Sequence, residues 1–228
     1  MTTSGTTAFA LDIADILEEA HELAGLEMRT GYQFRSARRS LDLLLQEWAN
    51  RGYNLWLIDQ QSIANIPATP ATVTLAADTV DIIEASITNV SGQALIDYRM
   101  RRMSYADYTH ISNKQQIGRP TSYAIQRLVS GPVMWIWPLP DTTTYTLKYW
   151  RLRRIQDTGS ATFTPDVPFR FVPALIAGLA HKLVAKSPEA TPIRITFLKQ
   201  EADQQFQLAA EEDREKSGMF VRPMRAYK

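Results

Sequence analysis

The 228-residue chain contains no cysteine, which excludes disulfides, thiolate metal sites and cysteine nucleophiles. It also has almost no net charge, with 25 basic against 24 acidic residues, so bulk electrostatics favours neither nucleic acid nor a membrane surface as partner. Long hydrophobic runs are missing. The longest, "FVPALIAGLA" at 171–180, is too short to span a bilayer. The stretch "MTTSGTTAFALDIADILEEA" has no basic start and carries acids where the apolar core of a signal peptide would run. The expectation is a soluble protein that does not cross a membrane by the usual route.

Catalytic vocabulary is equally thin. Of three histidines, His21 opens "HELAG", which fails the zinc-protease pattern because Gly25 stands at its fifth position. His181 lies at the edge of an apolar helix face and reads as a hydrogen-bonded structural histidine, while His110 is isolated in a turn region. There is no glycine-rich phosphate loop, dinucleotide fingerprint or nucleophile elbow; "TGSAT" at 158–162 lacks the second glycine. Asp12 and Asp15 fall in a first helical turn, where carboxylates suit the helix dipole. No catalytic residue, cofactor or metal is expected.

What is present is apolar patterning, with hydrophobic residues at 45% of the chain, ample for a core. Ile13, Ile16, Leu17, Ala20, Leu23 and Ala24 share one helix face that stops at Gly25. Phe34, Ala37, Leu41, Leu44, Leu45 and Trp48 repeat the pattern across 34–51, closed by Gly52. In "LLLQEWANRGYNLW" at 43–56, Trp48 belongs to that core face, while Tyr53 and Trp56 are expected to pack the elbow that follows.

Between 65 and 164 the texture becomes β, with turn signals at "PATP", "NVSGQ", "VSGP" and "PLPDTTT". "ALIDYRM" alternates Ala94, Ile96, Tyr98 and Met100 against Leu95, Asp97 and Arg99. "VMWIW" at 133–137 is apolar on both faces, as in a strand covered on both sides. It is expected to form a hairpin with "YTLKYWRL". Ser104 and Asp107 have capping-box spacing for a short helix. Helix returns with Phe171, Val172, Leu175, Ile176, Leu179, Ala180 and Leu183. Thr191-Pro192 then opens a last helix over about 193–217, which buries Leu198, Ala202, Phe206 and Ala209. At about 1.5 Å per residue it would reach roughly 37 Å, with its end standing clear of the core.

The predicted architecture is α+β: a helical bundle of two N-terminal and two C-terminal helices, interrupted by an antiparallel β-sandwich or barrel-like domain. Residues 1–64 and 165–218 form the two halves of the bundle, 65–164 the insertion and 219–228 a tail.

Two charged features and the tail are candidate interaction sites. Arg35, Arg38 and Arg39 can meet DNA phosphates, form a solvated helix face, or pair with acids on a neighbouring subunit; "RMRR" at 99–102 has the same readings. Residues 201–215 hold six acids against one arginine, and opposed patches on a neutral chain fit subunit complementarity. In the tail, Met219, Phe220, Val221, Met224 and Tyr227 are interleaved with Arg222, Pro223, Arg225 and Lys228. That is either an unstructured end or a peptide that orders in a partner's groove.

The order of "LDLLLQEWANRGYNLWLID", "RRMSYADYTHIS" leading to "GRPTSYAIQR", "MWIWPLPDTTTYTLKYWR" and "DVPFRFVPALIAGLAHKLVAK" resembles the head-to-tail adaptor proteins of tailed bacteriophages. These are also called tail accessory or packaged-DNA-stabilisation factors. The resemblance spans roughly residues 9–217. It implies a structural virion protein of the neck, synthesised in the host cytoplasm. It would form a twelve-membered ring of identical chains under the portal protein, extend the channel for packaged double-stranded DNA, and carry a downstream tail or nozzle protein. It further implies portal contact by the C-terminal segment. A stopper-like neck or head-completion protein, a DNA-binding protein using the three arginines, and a wall-degrading enzyme are the competing readings.

Overall fold

The computed structural model describes residues 5, 9, 11–52, 55–67, 72–91 and 94–213. They divide into two compact units, residues 1–55 with 157–228 and residues 56–156.

The first unit is helical. Asp12 caps α1 (Ile13–Ala24) through a reciprocal box with Asp15, and Gly25 ends it in the left-handed conformation. The acid pair is thus spent on orphan N–H groups rather than on chemistry. A second box, Thr30 with Gln33, starts α2 (Gly31–Arg51) three residues before its apolar stripe begins. After the intervening β unit come α4 (Val172–Val184) and α5 (Pro192–Glu212). Helix α4 carries eight buried residues along its 13 and touches α1, α2 and α5. Gly178 permits its close approach to α2, since a Cβ there would lie 3.0 Å from a Leu44 methyl. At the other end of the seam the rings of Trp48, Phe171 and Phe206 pack at centroid distances of 5.1 to 6.0 Å. Each such pair adds about 1 kcal/mol beyond burial.

Helix α5 runs to Glu212, with Asp213 as its cap; residues 214–217 of the expected helix lie outside the described residues. Asp213 is buried and its carboxylate accepts a hydrogen bond from the Arg170 guanidinium.

The second unit has two four-stranded sheets. In the first, β1 (Ile58–Ile63), β8 (Thr146–Arg153), β3 (Thr79–Ser91) and β4 (Ala94–Arg99) lie in that order, all neighbours antiparallel. The second has the order β2 (Thr72–Thr74), β7 (Val133–Trp137), β6 (Ser122–Gln126), β5 (Arg101–Arg102). Its last pair is parallel, against the antiparallel expectation. One buried cluster draws on both sheets, with Ile82, Ile87, Leu147 and Tyr149 from the first and Val73, Tyr123, Met134 and Ile136 from the second. The expected alternation of β8 holds, since Tyr145, Leu147 and Tyr149 are buried, but that of β4 does not: on this edge strand Ile96 is 43% exposed beside the exposed Leu95, and only Met100, just past the strand, is buried.

Two expectations fail here. The strands β7 and β8 do not form a hairpin, because they belong to different sheets. Pro138 and Pro140 have no N–H to extend the ladder. Leu139 between them exchanges backbone hydrogen bonds with Gln116 and Gly118 instead, so the chain leaves one sheet and enters the other. Secondly, residues 58–63 form a strand paired with β8 rather than a continuation of the helical segment. "IDQQSI" offers too few apolar residues to be seen as a strand without its partner.

The doubly apolar strand at 133–137 is explained inside its own unit. Met134 and Ile136 enter the core. On the other face α3 (Tyr105–His110) covers Trp135, with Tyr108 at 5.3 Å and Tyr105 at 6.4 Å between centroids. Trp137 donates its indole N–H to the Asn113 carbonyl. The Ser104–Asp107 box that begins α3 forms as its spacing predicts.

Candidate functional site

Helix α2 is the scaffold for the basic candidates. Its buried face, Ala37, Leu41, Leu44, Leu45 and Trp48, fixes which residues point outward. The three arginines then separate. Arg38 is half-buried and donates from Nη1 to the Gly159 carbonyl at 2.9 Å. One turn on, Asp42 accepts from the Thr158 backbone N–H at 3.0 Å. This pair of bonds ties the segment entering the C-terminal helices to α2, which makes Arg38 a structural residue. Arg35 and Arg39 are exposed, and among the described residues neither has an ion pair.

The second basic run is mostly committed within its own unit. Arg99 pairs with Glu84 at 2.7 Å, and Asp81 receives both Arg102 and Arg127 at 2.9 and 2.8 Å. Of these, Arg101 makes no close ion pair among the described residues, though its charge acts on the Asp107 carboxylate.

The acids of α5 do not form one patch. Asp213 is buried with Arg170, and Asp203 approaches Arg51 at 4.0 Å. Glu201 accepts from Gln205 at 3.0 Å, whereas Glu211 and Glu212 are exposed at the helix end. A separate clamp joins α2 to α4: Lys182 donates to Glu47 at 2.8 Å and Arg51 donates to its other oxygen at 2.7 Å. These two cations hold the Glu47 carboxyl below the usual carboxylate range, Lys182 first and Arg51 second. A carboxylate kept ionised and doubly paired is a poor proton carrier at neutral pH.

His181 lines the same crevice. Burial, then the positive charges of Lys182 and Lys199, push its imidazole below the ordinary value, so it is neutral at pH 7. His21 is spent on a 2.7 Å hydrogen bond to the Leu17 carbonyl, and His110 closes α3 as an exposed residue. Among the described residues no cluster of three or more His, Asp or Glu is arranged to hold a metal ion, and no helix is long and apolar enough to cross a membrane. The tail candidates Met219 to Lys228 and the elbow residue Tyr53 lie outside the described residues.

Two features escaped the sequence reading. Arg151 is buried and makes a bidentate pair with Asp59, at 2.7 and 3.1 Å, plus bonds to Asp78 and Thr79. It looks like any charged residue of an alternating strand until β1 and the Ala76–Thr79 turn close around it. The other is a second apolar stripe on α5, formed by Ile193, Phe197 and Leu208, which are 83%, 55% and 55% exposed. Its signal was present: three large apolar residues at helical spacing on the side opposite Leu198, Phe206 and Ala209.

The helical unit presents exposed apolar and charged stripes on α2 and α5, while Asp12 and Asp15 serve a cap, Glu47 a clamp and His21 a helix bond. A family model, SU10 adaptor protein, matches residues 10–226. The chain belongs to the SU10 adaptor protein family, a family of phage head-tail adaptors. It is a structural adaptor family, not an enzyme family, and it marks the chain as a virion component. Comparison with curated proteins found no match.

Proposed function

We propose that this adaptor forms a ring beneath the portal vertex, extends the DNA channel there and provides the platform on which the tail is built. The observation that carries the reading is the family match itself, which runs through both units and reaches residue 226. A ring subunit needs two different complementary faces, because only a heterologous contact can close into a ring of more than two. The helical unit supplies candidate faces, with outward Arg35 and Arg39 on α2 and outward apolar residues on α5. The portal protein, further copies of the same chain (twelve in the complete ring), a downstream tail protein and passing double-stranded DNA are the partners in this reading. The neck of the virion is its site.

The residues from Met219 to Lys228 are assigned to the portal contact. Their alternation of apolar and basic side chains suits a peptide that orders in a groove. The test is co-sedimentation of the purified chain with isolated portal rings. The full chain is expected to travel with the portal, and a version lacking 219–228 to remain folded by circular dichroism but to bind at least tenfold more weakly. A full-length, folded chain that ignores the portal would overturn the docking assignment.

A further inference from the structure

Helix geometry places two unlike stripes on opposite sides of the helical unit. Trp48 of α2 and Phe206 of α5 face one another, with ring centroids 5.1 Å apart. At about 100° per residue, Tyr32, Arg35, Arg39 and Leu43 all lie roughly 140–180° around α2 from Trp48. By the same count Ile193, Phe197, Leu208 and Glu211 lie roughly 140–180° around α5 from Phe206. Both sets are solvent-exposed, with Tyr32 at 68% and Leu43 at 56%. Because each stripe points away from the ring contact that joins its helix to the other, the two cannot meet within one chain. They can meet between copies.

Their chemistry is complementary. The α2 stripe sets two arginines, neither ion-paired among the described residues, between an aromatic and an aliphatic end. The α5 stripe sets three large apolar side chains beside the acids Glu201 and Glu211. Exposed apolar residues on one rigid helix are ordinary singly, but three aligned on one face are the composition of a contact. Opposite charge on the two faces sets register and disfavours the like-with-like pairing that would stop at a dimer.

We propose that the α2 stripe of one copy packs on the α5 stripe of the next, and that this head-to-tail helix contact closes the ring. The proposal rests on the ring reading above and specifies its subunit contact. Arg35 and Arg39 thereby act between subunits, while Arg38 acts within one.

The absence of cysteine allows a clean test. A chain carrying Leu43→Cys and Phe197→Cys is assembled on portal rings and treated with a short bifunctional maleimide, and assembly is read independently by light scattering. The expected result is a ladder of covalent multimers beyond the dimer, with each single-cysteine chain giving dimers at most. An assembled ring that yields no ladder would overturn this contact and leave the ring reading standing. Failure of the wild-type chain to assemble at all would overturn both. As a second measurement, Phe197→Asp or Arg39→Glu is expected to raise the concentration for half-maximal assembly about tenfold or more. A 1:1 mixture of the two variants is expected to recover a heterodimer through the one intact pair of faces. No recovery from two folded variants would count against the contact.

Discussion

The two units of this chain hold themselves together by different means. In the helical unit the stabilising contacts are mostly apolar: α4 buries most of its length, and the Trp48, Phe171 and Phe206 rings fill the space where α2, α4 and α5 meet. In the β unit a shared apolar core is bordered by charge. Arg151 joins two strands and a turn through Asp59, Asp78 and Thr79, and Asp81 collects Arg102 and Arg127. A packed apolar seam tolerates changes of surface charge, which leaves the outer faces of α2 and α5 open to whatever assembly requires. A unit that spends its arginines internally has fewer to offer a partner.

The largest test of this contrast is Trp48→Ala. Removing a buried indole should cost about 4 kcal/mol. Hydrogen exchange followed by mass spectrometry should show the loss of protection in the four long helices, with the strands keeping theirs. Equal loss in both units would mean that they unfold as one and would dissolve the distinction. Next in size is Gly178→Val. The added methyls would enter space held by Leu44 and should cost about 2.5 kcal/mol by overpacking, read as a lowered midpoint in urea.

The corresponding test in the β unit is Arg151→Met, which keeps the aliphatic stem and deletes the charge. Asp59 and Asp78 are 35% and 49% exposed and can be rehydrated, so the expected loss is modest, about 1.5 kcal/mol. A loss as large as that of Trp48→Ala would show that the charge network carries as much stability as the aromatic seam.

The pH response should also separate the units, though by less. The lowered imidazole of His181 means that, between its folded and unfolded values, the unfolded chain holds the extra proton. Stability of the helical unit therefore falls as pH drops below about 6.5, and His181→Gln should flatten that part of the profile. Asp59 in the β unit is lowered chiefly by its hydrogen bond from Arg151. Its contribution is fully present above about pH 4 and lost as pH falls through the folded value. Acidification should thus loosen helices before strands, as followed by unit-resolved hydrogen exchange.

The same contrast explains what could be read in the sequence. Helix periodicity is local, so α1, α2 and α4 and their stops at Gly25 and Gly52 were legible from spacing, as was the capping box of α3. Strand pairing is not local. The alternation of "YTLKYWRL" shows which side of β8 is buried, but nothing in it says that its neighbours are β1 and β3 rather than β7. For the candidate site, the arginine run on α2 was visible. Its division into one structural and two outward residues depended on Gly159, 121 positions away. The burial of Asp213 was not legible for a similar reason, because its partner Arg170 stands 43 positions away.

The measurement that bears most directly on the adaptor reading is the mass of the complex formed with the phage's portal ring, by light scattering on a sizing column. Co-elution is expected at the portal mass plus a complete ring of about twelve 25.8 kDa chains. A folded chain that elutes apart from the portal, or binds it without completing a ring, would contradict it.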